Sequence, residues 1–181
     1  MSQVRDFLGI KRQIFFSSIG GFDTHNAQVN GTDATQGTHA ALLVQLSGAM
    51  KAFHDATAAM GVDGQVTSFT MSDLSRTGKA NGVVGSDHAW GSHVIVAGGA
   101  VKGGDLDGLP GPTSTVFPTL VAGGNDDTDS GSNARGLWIQ TSAIEQVGAT
   151  LTTWLGVPNA DLDGVFPNPQ NFSVKNLGFM T

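Results

Sequence analysis

The pattern of apolar and polar positions predicts two helices separated by short apolar runs. Between Thr38 and Met60, apolar residues recur at spacings of three, four and seven, which places them on one face of a helix. Thr38 is a candidate N-cap, and the glycine after Met60 is expected to end this helix. The second helix is expected to begin at a capping box of Ser142 and Glu145 and to end at Gly156.

Short apolar runs bounded by glycine or aspartate predict the strands. They lie at 12–19, 65–71 and 93–97, with two further candidates at 117–122 and 136–140. Strands that alternate with helices favour an α/β fold, in which helices pack on a mainly parallel sheet. Ligands of such sheets bind beyond the carboxyl ends of the strands, so polar residues that follow a strand are the first candidates for a site.

Composition limits the classes of function. The chain has 181 residues, 9 Lys and Arg against 15 Asp and Glu, a net charge of −6 and no cysteine. This length predicts a single domain over 1–181. The scattered basic residues exclude a nucleic-acid surface, and no apolar run reaches the roughly 20 residues of a membrane span. No secretory signal is visible, which predicts a cytoplasmic location for the sequence as written. Any metal site must use nitrogen and oxygen ligands.

Asp and His gather where predicted strands end. Asp23 and His25 follow Gly20 and Gly21, which let the backbone turn sharply. A turn of this kind is suited to aim both side chains at one cation. The alternative is that Asp23 stabilises the turn and His25 is simply exposed.

Two further polar groups lie between the second and third predicted strands. Asp73 follows a strand end, where a carboxylate is well placed as a ligand, and Arg76 is suited to hold a phosphate or sulfate through a bidentate fork. The alternative is an aspartate turn beside a surface arginine. His88 and His93 are five residues apart beside Asp87 and reach one metal if the loop folds back; otherwise one of them binds substrate or supports a ligand.

The remaining candidates carry less chemistry. His54 lies at the edge of the long helix's apolar stripe and is interpreted as structural. His39 lies at the start of that helix, and the sequence allows either a structural role or support of a metal ligand. No cysteine, Gly-x-Ser-x-Gly elbow or phosphate-binding glycine loop is present, so no protein nucleophile is predicted. Residues 125–131 have the composition of a calcium loop without its final glutamate, and we expect a solvated turn there, with weak ion binding as the alternative.

Three motifs, taken in order, closely resemble one bacterial family. They are Phe15-Phe16-Ser17-Ser18-Ile19-Gly20-Gly21-Phe22-Asp23-Thr24-His25, then Phe69-Thr70-Met71-Ser72-Asp73-Leu74-Ser75-Arg76-Thr77, then Gly85-Ser86-Asp87-His88-Ala89-Trp90-Gly91-Ser92-His93. Shorter matches follow at 98–104, 117–120 and 177–180. The family is that of the "domain of unknown function 1501" proteins, which the resemblance places in the alkaline phosphatase/sulfatase superfamily.

The superfamily holds two divalent metals with Asp and His on loops at the carboxyl edge of a mainly parallel sheet. The resemblance therefore implies a truncated alkaline phosphatase-like fold and one or two ions, most readily zinc or manganese. The metal ligands that it implies are Asp23, His25, Asp73, His88 and His93.

This sequence departs from the family pattern in two respects. Leu74 and Ser75 stand where the superfamily has His and Gly, so His88 or His93 is expected to supply the missing nitrogen. Family members are usually more than twice as long, carry a twin-arginine export signal and have an N-terminal half with the Ser or Thr nucleophile. We expect the full-length relatives to be exported. Since this chain resembles their C-terminal half, metal-activated water is the expected attacker.

Two hypotheses follow. The first is a metal-dependent hydrolase of phosphate mono-, di- or triesters or of sulfate esters, acting on a small anionic substrate. In it, Arg76 stabilises the anionic transition state and His93 is a further ligand or a proton donor. The second is a non-catalytic binding or structural half-domain that keeps the loops of a metal site as relics and self-associates as a two-fold homodimer.

Overall fold

The long helix is confirmed. The computed structural model describes residues 9, 11–104, 106–108 and 117–181. In it, helix α1 spans Thr38–Ala59 and is followed by Gly61 at φ 67°. The predicted N-cap is wrong by one residue, because Gly37 holds that position at φ 110°. A Cβ on Gly37 would lie 2.7 Å from the Cα of Val29, so the entry to α1 requires glycine.

The second predicted helix is also confirmed, with its start shifted. Helix α2 spans Ile144–Trp154, and the backbone N–H of Ala143 donates to Oε1 of Gln146 at 2.8 Å. This is one half of a capping box, moved one residue from the predicted Ser142 and Glu145 pair. Gln146 is buried and also donates through Nε2 to the carbonyl of Val174 at 2.5 Å, so it attaches the C-terminal segment to α2.

The strands are few and short, and they form two separate antiparallel pairs. Strand β1 (Thr67–Phe69) pairs with β4 (Val96–Gly98), with Ser68 opposite Ala97. Strand β2 (Ser75–Arg76) pairs with β3 (His88–Ala89). The expectation of a mainly parallel α/β sheet, and with it an alkaline phosphatase-like fold, was therefore wrong. No helix lies between β1 and β4 in the described part of 70–95, and a parallel pair needs such a crossover, whereas an antiparallel pair does not.

The other predicted strands do not form among the described residues. The run 12–19 has no regular secondary structure and is exposed, and its backbone groups make no hydrogen bond to other described residues. The runs 117–122 and 136–140 also contain no strand; Trp138 makes only an isolated bridge with Asp127. Apolar composition indicated these runs, but a strand requires a ladder of hydrogen bonds to a neighbour. Among the described residues, 12–19 has no backbone partner, and 136–140 has only a short pairing with 126–128.

The segment 125–131 is a turn, as expected, and four of its seven residues are exposed, but Asp126 and Asp127 are buried. Asp127 is 7% exposed, and its carboxylate accepts four backbone hydrogen bonds, from Gly123, Asp129, Gly136 and Leu137 at 2.8–3.0 Å. Burial by itself would raise the pKa of Asp127, but these four donors outweigh it and leave the pKa below the usual value. An acceptor saturated in this way organises the loop and is not available to a cation.

The buried apolar core of the described part is small. It consists of Ala89, Ala100, Ala134, Ala149, Leu151, Leu162 and Phe179. Short elements complete the fold: helix α3 at Leu162–Val165 and 3₁₀ turns at Asp63–Gln65, Gly131–Asn133, Asn159–Asp161 and Pro169–Asn171. Only Thr57 is buried in α1, so the apolar face of this helix is largely uncovered. None of the described helices is long and apolar enough to cross a membrane.

Candidate metal centre

A tight turn presents Asp23 and His25 together. The N–H of Thr24 donates to the carbonyl of Phe22 at 2.9 Å, and that of His25 donates to the carbonyl of Asp23 at 3.1 Å. Thr24 is 5% exposed, and its carbonyl accepts from the N–H of Ser86 at 3.2 Å. The buried threonine therefore fixes the turn to the 81–87 segment and leaves the flanking Asp23 and His25 side chains in solvent.

The β2–β3 pair supplies the third side chain. Its register places Arg76 opposite His88, and both residues reach Asp23. Gly85, in the loop between the two strands, packs directly on the backbone of His25, where a Cβ would overlap the His25 carbonyl. The hairpin and the turn thus meet at a close backbone approach that requires glycine.

Three potential ligand atoms converge where these segments meet. His25 Nε2 and His88 Nε2 are 2.9 Å apart, and they lie 3.2 Å and 2.9 Å from Asp23 Oδ1. Tetrahedral zinc with bonds of about 2.0–2.2 Å separates its ligand atoms by about 3.3 Å, so an ion fits with little movement of the side chains. The side chains are 45–66% exposed, which leaves further coordination positions open to water or substrate.

Arg76 supports Asp23 from the protein side. One terminal nitrogen contacts Asp23 Oδ1, the other contacts the Ser86 carbonyl, and Nε donates to Ser86 Oγ at 3.2 Å. The hydrogen bond with His88, followed by that from Arg76, holds the pKa of Asp23 below its usual value, so the carboxylate stays ionised as a ligand must. Because every nitrogen of Arg76 is engaged and its side chain is only 17% exposed, the structure gives it a positioning role at Asp23. Its contact with a substrate anion stays a prediction.

A second layer orients His25. Asp87 Oδ1 lies 3.2 Å from His25 Nδ1, and Asn81 Nδ2 donates to Asp87 Oδ1 at 3.2 Å and to the His25 carbonyl at 2.7 Å. Asp87 Oδ2 accepts from Arg135 at 2.6 Å. The hydrogen bond from Asn81, followed by that with His25, keeps the pKa of Asp87 below its usual value. An ionised Asp87 favours the His25 tautomer that carries its proton on Nδ1, which leaves the Nε2 lone pair for a metal.

The other predicted site residues lie outside this cluster. Asp73 is exposed and is not among the groups whose ligand atoms come together in the described part of the chain. His93 stacks on Phe117, with ring centroids 4.9 Å apart. His39 packs edge-on against Phe22 at 6.0 Å. The roles of Asp73 and His93 as ligands, and of His93 as proton donor, stay predictions.

Sequence reasoning missed the second layer. Asn81 lies in an Asn-Gly turn, and Arg135 is 48 positions from the carboxylate that it binds, so neither has a local pattern of a site residue. Asp87 carried a signal, since it directly precedes His88.

The fold and site define a small, loop-rich α+β protein with an exposed Asp-His-His cluster supported by a carboxylate. The model of the family described as "Protein of unknown function (DUF1501)" matches residues 6–115, which is more than half of the chain. The chain belongs to this family, as the motifs predicted. No match was found among curated proteins or among solved structures.

Proposed function

We propose that this chain binds a divalent metal ion, zinc or manganese, through Asp23, His25 and His88, and hydrolyses phosphate or sulfate esters. The observation that carries the proposal is the convergence of three ligand atoms within 4.8 Å of one another. Two imidazole nitrogens and a carboxylate oxygen at this spacing repel one another unless a proton or a cation lies between them. Two histidines and a carboxylate are a common ligand set of catalytic metals, which retain an open position.

The residues around the cluster fit hydrolysis. A bound divalent ion supplies a Lewis acid and a water with a pKa of about 7. Asp23 provides the anionic ligand, Asp87 holds the His25 ring in its binding tautomer, and Arg76 fixes Asp23. The exposure of all three ligands lets a small ester approach without a conformational step.

Metal binding is tested by titrating chelator-treated protein with Zn²⁺ and Mn²⁺ in a calorimeter. We expect stoichiometric binding by the wild type and loss of the site in His25→Ala and His88→Ala. His54→Ala is the matched control, because His54 is an exposed histidine on α1, away from the cluster. Equal binding by His88→Ala and His54→Ala would refute the assignment.

Hydrolysis is tested with a panel of aryl phosphate mono-, di- and triesters and aryl sulfates. We expect activity that disappears on chelation and returns with Zn²⁺ or Mn²⁺. Activity that survives exhaustive chelation, or that is undiminished in His88→Ala, would contradict the proposed mechanism.

A second function, self-association through a non-catalytic surface, is supported by the exposed run at 12–19. Ile14, Phe15 and Phe16 are 78%, 83% and 92% exposed. Their backbone makes no hydrogen bonds within the described residues, so two copies have the groups needed to pair across a two-fold axis. Light scattering should show a dimer that Phe15→Ser/Phe16→Ser converts to a monomer; a wild-type monomer would refute this function.

A further inference from the structure

A second feature is lined by Asn81 and Asp87, the two residues that contact His25 from outside the cluster. It is a solvent-open cavity of about 330 Å³, lined by Lys79, Ala80, Asn81, Asp87, Asn133 and Arg135. Two segments form its walls and are held together by backbone hydrogen bonds. Lys79 N–H donates to the Arg135 carbonyl, and Gly78 N–H donates to the Gly136 carbonyl, both at 2.9 Å. The cavity is therefore built on paired backbone.

Several hydrogen-bond donors in the walls of this cavity have no acceptor among the described residues. Within the described residues, the Lys79 ammonium has no carboxylate partner and the Asn133 side chain makes no hydrogen bond. Arg135 uses one terminal nitrogen for Asp87 and has its other donors left.

The carboxylate in the cavity wall is already engaged. Asp87 Oδ1 contacts His25 and Asn81, and Oδ2 accepts from Arg135. With Lys79 and Arg135 against this one carboxylate, the cavity carries a net positive charge. Unsatisfied cationic and amide donors in a positively charged cavity favour an oxyanion such as phosphate or sulfate.

The cavity is coupled to the candidate metal centre through shared residues. Asp87 and Asn81 line the cavity. Asp87 also contacts the ring of His25, and Asn81 donates to the His25 carbonyl. We infer that the cavity is a subsite for a second anionic group of the substrate, so that the preferred esters carry a further phosphate or sulfate. This substrate class rests on the proposed function, but anion binding by the cavity does not.

The first test uses metal-free protein, so it does not depend on the ester hydrolase proposal. Inorganic phosphate and inorganic sulfate are titrated into chelator-treated wild type, Lys79→Ala, Asn133→Ala and Lys51→Ala. Lys51→Ala is the control, because this exposed lysine lies on α1 and pairs with Asp55. We expect saturable binding by the wild type and Lys51→Ala, and binding weakened about tenfold or more in Lys79→Ala. A smaller weakening is expected in Asn133→Ala. Absence of saturable binding, or equal binding by Lys79→Ala and wild type, would overturn the inference.

The second test addresses the substrate class in metal-loaded protein. Lys79→Ala should raise KM for an aryl ester that carries a second phosphate and leave KM for the matching monoester and both kcat values unchanged. An equal rise in KM for both esters would overturn the subsite. If the wild type hydrolyses neither ester, that result would count against the proposed function alone.

Discussion

The carboxylate of Asp127 offers the sharpest test of how this loop-rich chain supports its site. It accepts backbone hydrogen bonds from Gly123, Asp129, Gly136 and Leu137 at 2.8–3.0 Å while only 7% exposed. Asp127→Asn keeps the size of the side chain but replaces one acceptor oxygen with an NH₂ group. Whichever way the amide turns, two backbone N–H donors then face a donor.

The cost follows from those two donors. A buried N–H left without an acceptor costs about 1–3 kcal/mol, so Asp127→Asn should lower the free energy of unfolding by about 2–6 kcal/mol. This is a large share of the 5–15 kcal/mol that is typical of a domain. Equilibrium urea unfolding followed by circular dichroism measures the change. Asp55→Asn, which removes an exposed i,i+4 pair with Lys51, is the control and should cost at most about 0.5 kcal/mol.

The pH dependence gives an independent check on Asp127. Its folded pKa lies below the usual value, so the unfolded chain takes up a proton at a higher pH than the folded one does. The contribution of Asp127 is therefore complete above the unfolded pKa of about 3.9 and is lost as the pH falls through the folded pKa. In a plot of the free energy of unfolding against pH, Asp127→Asn should make the loss of stability at acidic pH less steep. A variant within about 0.5 kcal/mol of the wild type, with an unchanged loss of stability at acidic pH, would refute the assigned role.

Three further predictions concern the candidate centre. Asp87→Ala should weaken Zn²⁺ binding by about 10- to 100-fold in calorimetry, since it removes the partner of His25 Nδ1, while Asp55→Ala should have no effect. Gly85→Ala should abolish Zn²⁺ binding, because the added Cβ overlaps the His25 carbonyl; Gly82→Ala, where a Cβ meets nothing within 4 Å, should not. Zn²⁺ affinity should fall from pH 7 to pH 5, because a metal binds only neutral imidazole, and a constant affinity would contradict histidine ligation.

Local patterns predicted the helices well and the sheet poorly. The apolar spacing of α1 and its terminal glycine depend on nearby residues, so the predicted helix closely matches the observed Thr38–Ala59. The positions of β1 and β4 were also indicated by their apolar runs, but the direction of pairing depends on the whole path between Phe69 and Val96. The absence of a helical pattern in that stretch was the available signal for an antiparallel pair.

In the candidate site too, residues that lie in local motifs were predicted, whereas those that depend on distant contacts were not. Asp23, His25 and His88 were predicted, because each lies in a short polar motif beside glycine or serine, and the structure brings all three together. Arg135 could not be found in this way. It reaches Asp87 only through the loop that Asp127 organises, and nothing near position 135 in the sequence records that contact.

Asp127 therefore links stability to the chemistry of the site. Its carboxylate holds the N–H of Gly136, whose carbonyl accepts from Gly78, and the adjoining Arg135 carbonyl accepts from Lys79. These bonds position the two cations of the cavity, one of which holds Asp87. The described part of this chain has few charges and a small apolar core, so it has little packing to fix such groups. A buried carboxylate that accepts four backbone hydrogen bonds provides that order here, so loss of the Asp127 carboxylate should weaken phosphate binding as well as stability.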